Sequence, residues 1–132
     1  MISVDSYGWI ERLTNGPRAD LYNAIIDKSA PGEIVTSTIV LYEVYKKIKQ
    51  AVNEQSALEA IAAISQTLVV SIDQSLSLEA ADYSLTLGLH LADAMVYATA
   101  RHYGAELYTS DKDLKGVKGV VFINVLSEDH PS

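Results

Sequence analysis

One alternation limits what this chain can fold into. Five short apolar runs, at residues 2–5, 33–36, 67–72, 106–109 and 120–123, are separated by longer segments with helical spacing. Trp9, Ile10 and Leu13 begin a helix stopped near Asn15-Gly16-Pro17, and Leu21, Ile25 and Ile26 mark a second, ended by Pro31-Gly32. Residues 38–50 place Val40, Leu41, Val44, Tyr45 and Ile48 on one side of a third helix. Leu58, Ile61, Ala62 and Ile64 carry a fourth; residues 76–87 and 91–103 form two more, with stops at Gly88 and Gly104. Strands that alternate with helices predict an α/β layer built on a parallel sheet. Such sheets bind ligands outside the carboxyl ends of their strands, so those ends are where chemistry is expected.

The size is that of one domain spanning residues 1–132, with no repeat or linker to divide it. Apolar types make up 48%, enough for a core and too much for a disordered chain. The absence of cysteine excludes disulfides, thiolate zinc sites and cysteine nucleophiles. No apolar run approaches the ~20 residues of a membrane helix, and Met1 to Asp5 carry no basic signal region, so a cytoplasmic protein is expected. With 17 acidic against 10 basic residues, the net charge of -7 argues against holding nucleic acid by bulk positive charge. It leaves room for a metal enzyme, because hard cations take carboxylate ligands.

Four acids stand where a site is expected. Asp5 follows the first strand and Asp111 follows the fourth, although either alone reads as an ordinary helix or turn cap. Glu43 lies mid-helix beside Ile39 and Val40, either paired with Lys47 or engaged in a site. Asp93 falls in a first helical turn among Leu91, Ala92, Ala94 and Met95. If the four converge on one sheet edge they repel each other, and a divalent cation relieves that repulsion. Oxygen ligands without His or Cys select Mg²⁺, with Mn²⁺ as the alternative. Such ions lower the pKa of a water and clamp a phosphodiester for in-line attack, so no protein nucleophile is required.

These residues also resemble a family. Val4-Asp5-Ser6-Tyr7-Gly8-Trp9-Ile10-Glu11, Thr36-Ser37-Thr38-Ile39-Val40-Leu41-Tyr42-Glu43, Leu91-Ala92-Asp93-Ala94-Met95-Val96-Tyr97-Ala98-Thr99-Ala100 and Leu107-Tyr108-Thr109-Ser110-Asp111-Lys112-Asp113-Leu114 resemble, in order, the four motifs of PIN-domain proteins. The compact size is similar to the VapC branch, the toxins of toxin–antitoxin pairs. The resemblance implies a PIN-like three-layer α/β/α domain with a central, mostly parallel five-stranded sheet. It implies a Mg²⁺-dependent endoribonuclease with Asp5, Glu43, Asp93 and Asp111 as the acidic site. Asp5, Asp93 and Asp111 are then the metal ligands, Ser6, Ser37 and Ser110 their hydroxyl neighbours, and Asp113 an additional ligand. An RNA substrate, a cognate antitoxin protein and a homodimer follow from the same resemblance. Tyr7 departs from the family, which often has a small polar residue there.

Two lysine groups, Lys46, Lys47 and Lys49 after Glu43 and Lys112, Lys115 and Lys118 after Asp111, are candidate contacts to RNA phosphates. Tyr42, Tyr45, Tyr83, Tyr97, Tyr103 and Tyr108 are expected mostly in the core, as is Trp9, and the three histidines are given no role. The tail from Glu128 to Ser132 is expected to fray. The rival readings fare less well. A phosphohydrolase with an Asp nucleophile wants a second acid where Tyr7 stands, and a phospho-acceptor receiver wants paired acids that are not visible. A catalytically silent PIN-like binding module remains the alternative.

Overall fold

The structure is a computed structural model, and it describes residues 1–124. Five strands and six helices alternate among the described residues. They are β1 (Ile2–Val4), α1 (Ser6–Thr14), α2 (Ala19–Ile26), β2 (Val35–Ser37), α3 (Thr38–Ala51) and α4 (Glu54–Ile64). There follow β3 (Leu68–Val70), α5 (Gln74–Leu87), α6 (Leu91–His102), β4 (Glu106–Thr109) and β5 (Val120–Phe122). Single 3₁₀ turns occupy Pro31–Glu33 and Lys112–Leu114.

Every strand pair among the described residues is parallel. β1 pairs with β4 and β4 with β5, while β2 pairs with β3. A parallel bridge from Ile2 to Ile34 joins the two groups, giving the order β3-β2-β1-β4-β5. The chain therefore winds outward from β1 to β3, then returns to the far side of β1. With the right-handed crossovers that such connections adopt, this order places helices on both faces of the sheet. It also creates a switch point between β1 and β4, beside which Asp5 and Asp111 follow their strands.

The expected elements are present, with displaced edges. The second strand starts at Val35 because Pro31-Gly32-Glu33 closes a 3₁₀ turn first. The third begins at Leu68 because the Thr67 hydroxyl donates to the Ile64 carbonyl, finishing α4. α1 ends where Asn15 adopts left-handed backbone (φ 52°), and α5 ends on Gly88 (φ 71°). The core is formed by Val4, Tyr22, Ile34, Val35, Val40, Val44, Ile48, Ile64 and Leu107 together with the inner side of α6. Trp9 and Tyr97 are buried as expected. Tyr42 is not: it is 59% exposed, because Val40, Val44 and Ile48 form the inward face of α3 and Tyr42 lies off that row. Tyr103 is exposed as well. No helix among the described residues is long and apolar enough to cross a membrane. The tail from Glu128 to Ser132, including His130, lies outside the described residues.

Candidate functional site

Asp5 occupies the turn from β1 into α1. Its Oδ1 accepts from the Gly8 N–H at 2.8 Å, which caps the helix. Its Oδ2 accepts from the Thr109 hydroxyl at 2.8 Å and the Ser110 N–H at 3.1 Å, so β1 and β4 are tied together at their carboxyl ends. Tyr22, fully buried, reaches this point from α2 and hydrogen-bonds the Ser110 hydroxyl. Burial pushes the Asp5 carboxyl above its ordinary value, against the hydrogen bonds from Gly8, Thr109, Ser110 and Tyr22, which lower it. Burial and the Asp5 charge likewise push the Tyr22 hydroxyl well above its ordinary value, so it remains a donor.

Thr109 links the next acid. The Asp111 N–H donates to the Thr109 hydroxyl at 3.1 Å, and Asp111 Oδ1 accepts from the Asp113 N–H at 2.9 Å. The turn after β4 therefore faces two carboxylates toward α6, where Asp93 stands in the first turn. Carboxylate oxygens of Asp93, Asp111 and Asp113 all lie within 4.8 Å of one another. Burial, followed by the contact with Asp111 and the charges of Glu43 and Asp113, pushes the Asp93 carboxyl up to about 7. Glu43 closes the ring of acids from α3 and makes no ion pair with Lys47.

Asp5, Glu43, Asp93 and Asp111 thus line one cleft of about 610 Å³, together with Ser6, Thr109 and Ser110. Asp113 belongs to the tightest group of carboxylates, a closer place than its accessory role in the motif implied. Ser37 does not line the cleft. Its buried hydroxyl accepts from the Ile39 N–H at 3.3 Å and caps α3, the helix that carries Glu43.

The donor set fits a divalent cation. Three carboxylates with oxygens within 4.8 Å of one another, one of them resisting ionisation, are the expected electrostatics of a site for a hard cation. All the donors are oxygen, as Mg²⁺ and its relatives require. Asp93, Asp111 and Asp113 are near enough to share such an ion, with Asp5 and Glu43 in the same cleft.

The lysines separate into two kinds. Lys46 and Lys47 line a second groove that adjoins the cleft. Lys49 faces the Tyr45 hydroxyl at 3.4 Å and Glu54 at 3.6 Å. Lys112, Lys115 and Lys118 do not line the cleft, and the Lys115 ammonium lies 5.2 Å from the Phe122 ring centre. Other cleft residues had no local signal in the sequence. Thr109 lines the cleft and the buried Tyr22 supports it from behind, and both bond to groups on distant segments. Pro17 and Arg18 reach the cleft because Glu11 Oε1 accepts from the Arg18 N–H at 2.6 Å, folding the α1–α2 turn back. Gly16 read in the sequence only as a helix stop; in the structure a Cβ there would run into the Glu11 carboxylate that holds this turn.

The comparisons with known proteins agree with this geometry. The PIN domain family model matches residues 2–120. No curated protein sequence matches the chain. Among solved structures, a toxin–antitoxin complex from Klebsiella pneumoniae superposes with a TM-score of 0.77 at 26% identity, covering 92% of this chain and 96% of that one. The sarcin-ricin loop cleaving toxin VapC20 of Mycobacterium tuberculosis gives 0.72 at 19% identity over 87% and 92%. VapBC2 from Rickettsia felis, bound to a DNA fragment from its promoter, gives 0.69 at 13% identity over 93% and 98%. An acid cleft at the switch point of an all-parallel sheet and a family match over nearly the whole chain lead to one conclusion: the chain belongs to the PIN-domain family, and its solved structural neighbours are VapC-type toxins of toxin–antitoxin pairs.

Proposed function

We propose that this protein is a Mg²⁺-dependent endoribonuclease, the toxin of a type II toxin–antitoxin pair, which hydrolyses an RNA phosphodiester with a metal-activated water. The observation that carries this reading is the convergence of Asp5, Glu43, Asp93 and Asp111 on one cleft, with Asp93, Asp111 and Asp113 near enough to share an ion. The RNA-cleaving and antitoxin-bound neighbours support it.

Asp5, Asp93 and Asp111 would hold the cation, with Asp113 near enough to Asp93 and Asp111 to join them, and Mn²⁺ is an alternative occupant. When bound, the ion supplies charge neutralisation for the phosphate and acidifies a water. Asp5 fixes the distance between the ends of β1 and β4 through its hydrogen bonds from Thr109 and Ser110, and caps α1 through Gly8. Glu43 faces Asp93 across the cleft and orients the attacking water or accepts its proton. Thr109 and Ser110 hold Asp5, while Ser6 offers a hydroxyl at the cleft wall. The cognate antitoxin, a homodimer and a cytoplasmic setting complete the proposal by family analogy.

Cleavage of RNA with and without Mg²⁺, in wild type and in Asp5→Asn and Asp93→Asn, is the test. Both variants are expected to lose at least roughly 10²-fold in rate, the low end for removing a positioned acid–base or charge-stabilising group. Cleavage that survives both substitutions, or that continues in chelator, overturns the mechanism.

A further inference from the structure

We propose that the groove between α1 and α3 binds a single-stranded segment of the RNA next to the scissile phosphate, with a nucleobase on Tyr42 and backbone phosphates at Lys46 and Lys47. The proposal rests on the nuclease reading above and names where the substrate strand leaves the acid cleft.

The groove has a volume of about 440 Å³, inside the roughly 300–1,000 Å³ range of sites that take small molecules or their parts. It is continuous with the acid cleft, since Ser6, Tyr7, Glu11 and Glu43 line both. Beyond them the lining changes to Ile10, Tyr42, Lys46, Lys47 and Gln50. Helical spacing explains the change. Residues 43, 46, 47 and 50 stand one turn apart on one side of α3, while Val40, Val44 and Ile48 take the other side into the core.

Tyr42 has no packing role that explains it. The residue is 59% exposed, and the Lys46 ammonium lies 5.6 Å from the ring centre. Tyr7, 40% exposed, stands edge-on to the buried Tyr22 on the opposite wall. An exposed tyrosine beside ammonium groups, leading out of the proposed phosphodiester-cleaving cleft, matches what a single strand presents: flat bases and a charged backbone. The carboxylates of Glu11 and Glu43 stand at the end shared with the cleft. The phosphates of the groove therefore fall at the other end, beside Lys46, Lys47 and Gln50.

The test measures fluorescence anisotropy of a fluorescein-labelled single-stranded RNA of mixed sequence on the full chain, with Ca²⁺ as the hard cation that neutralises the acids. Tyr42→Ala is expected to weaken binding roughly 5- to 150-fold, the range for losing one stacked base, and Tyr42→Phe to restore it. The Lys46→Met/Lys47→Met double variant is expected to reduce the salt-dependence slope of log K by about 1.4, at about 0.7 per phosphate contact. Lys28→Met, which removes one lysine charge away from the groove, is expected to leave both readings unchanged. All substituted side chains are exposed, and unchanged melting temperatures confirm intact folding. If wild type binds RNA and the groove variants bind it equally well, the groove proposal fails while the nuclease reading stands. If the variants keep RNA binding and lose only association with an antitoxin protein, the groove belongs to a protein and the proposal is overturned. If wild type neither binds nor cleaves RNA, both readings fall together.

Discussion

An aspartate in the first turn of a helix normally gains from the helix dipole, which favours its charged form. Asp93 occupies that position, yet burial and the carboxylates of Asp111, Glu43 and Asp113 raise it from 3.8 to about 7. In the metal-free protein this has a consequence of definite sign. Between those two values the native state keeps a proton that the unfolded chain has already released. Stability is therefore fully present below pH 3.8, falls as pH rises through the window, and levels off above about 7. Asp5, also raised, acts in the same direction. Thermal unfolding of chelator-treated protein is expected to give a lower melting temperature at pH 8 than at pH 5. A melting temperature that rises across that range contradicts the electrostatic account. Asp93→Asn removes the charge with little change of shape, so it is expected to stabilise the metal-free protein at pH 8 by roughly 0.5–2 kcal/mol while abolishing activity. Part of this was legible in the sequence, because Asp93 is surrounded by apolar and small residues. The support around Asp5 was not, since its partners Thr109 and Ser110 lie 104 and 105 residues away and only the fold brings them near.

At the scale of elements, what the sequence disclosed depended on how local the controlling interaction was. α6 and β4 were legible almost to their ends, because Gly104 and the apolar run at 106–109 act within a few residues. The starts of β2 and β3 were displaced by a 3₁₀ turn and by the Thr67 hydroxyl bond, which compete with strand pairing and leave no periodic trace. Gly8 shows how an element boundary and the site depend on one residue. Its N–H caps α1 through Asp5, and its missing side chain admits α2. A Cβ at Gly8 would overlap the Tyr22 ring and stand 2.8 Å from Val4 Cγ1. Gly8→Ala is therefore expected to destabilise the protein by about 1–3 kcal/mol, the usual cost of overpacking a closed interior. Denaturant titration measures this. Because the strain falls on the helix that Asp5 caps and on Tyr22, cleavage at a temperature where the variant remains folded is expected to drop as well. Full activity in a clearly destabilised Gly8→Ala variant would show that the α1–α2 contact does not hold Asp5.

For the whole molecule, strand order decides where charge accumulates. In the order β3-β2-β1-β4-β5 the winding reverses between β1 and β4, and the strand-end acids Asp5 and Asp111 meet there. Removing the four cleft acids from the sequence leaves 13 acidic against 10 basic residues, so the net charge of -7 becomes -3. More than half of the excess negative charge is thus concentrated at one edge of the sheet, where it opposes folding until a cation neutralises it. The acidity that disfavours a nucleic-acid enzyme in bulk is, by position, gathered in a cleft whose donors fit a cation. An ion that binds the folded cleft and not the unfolded chain stabilises the fold by mass action, by about 2.7 kcal/mol at a concentration 100 times its dissociation constant. Mg²⁺ or Mn²⁺ is therefore expected to raise the melting temperature in a concentration-dependent way, beyond a control of matched ionic strength. The rise should be larger at pH 8 than at pH 5, because Asp93 must give up its proton to bind, and proton release should accompany binding between these values. In an Asp93→Asn/Asp111→Asn double variant the rise is expected to vanish while the fold persists. Equal stabilisation of wild type and double variant would place the ion elsewhere on the molecule and separate the acid cleft from metal binding.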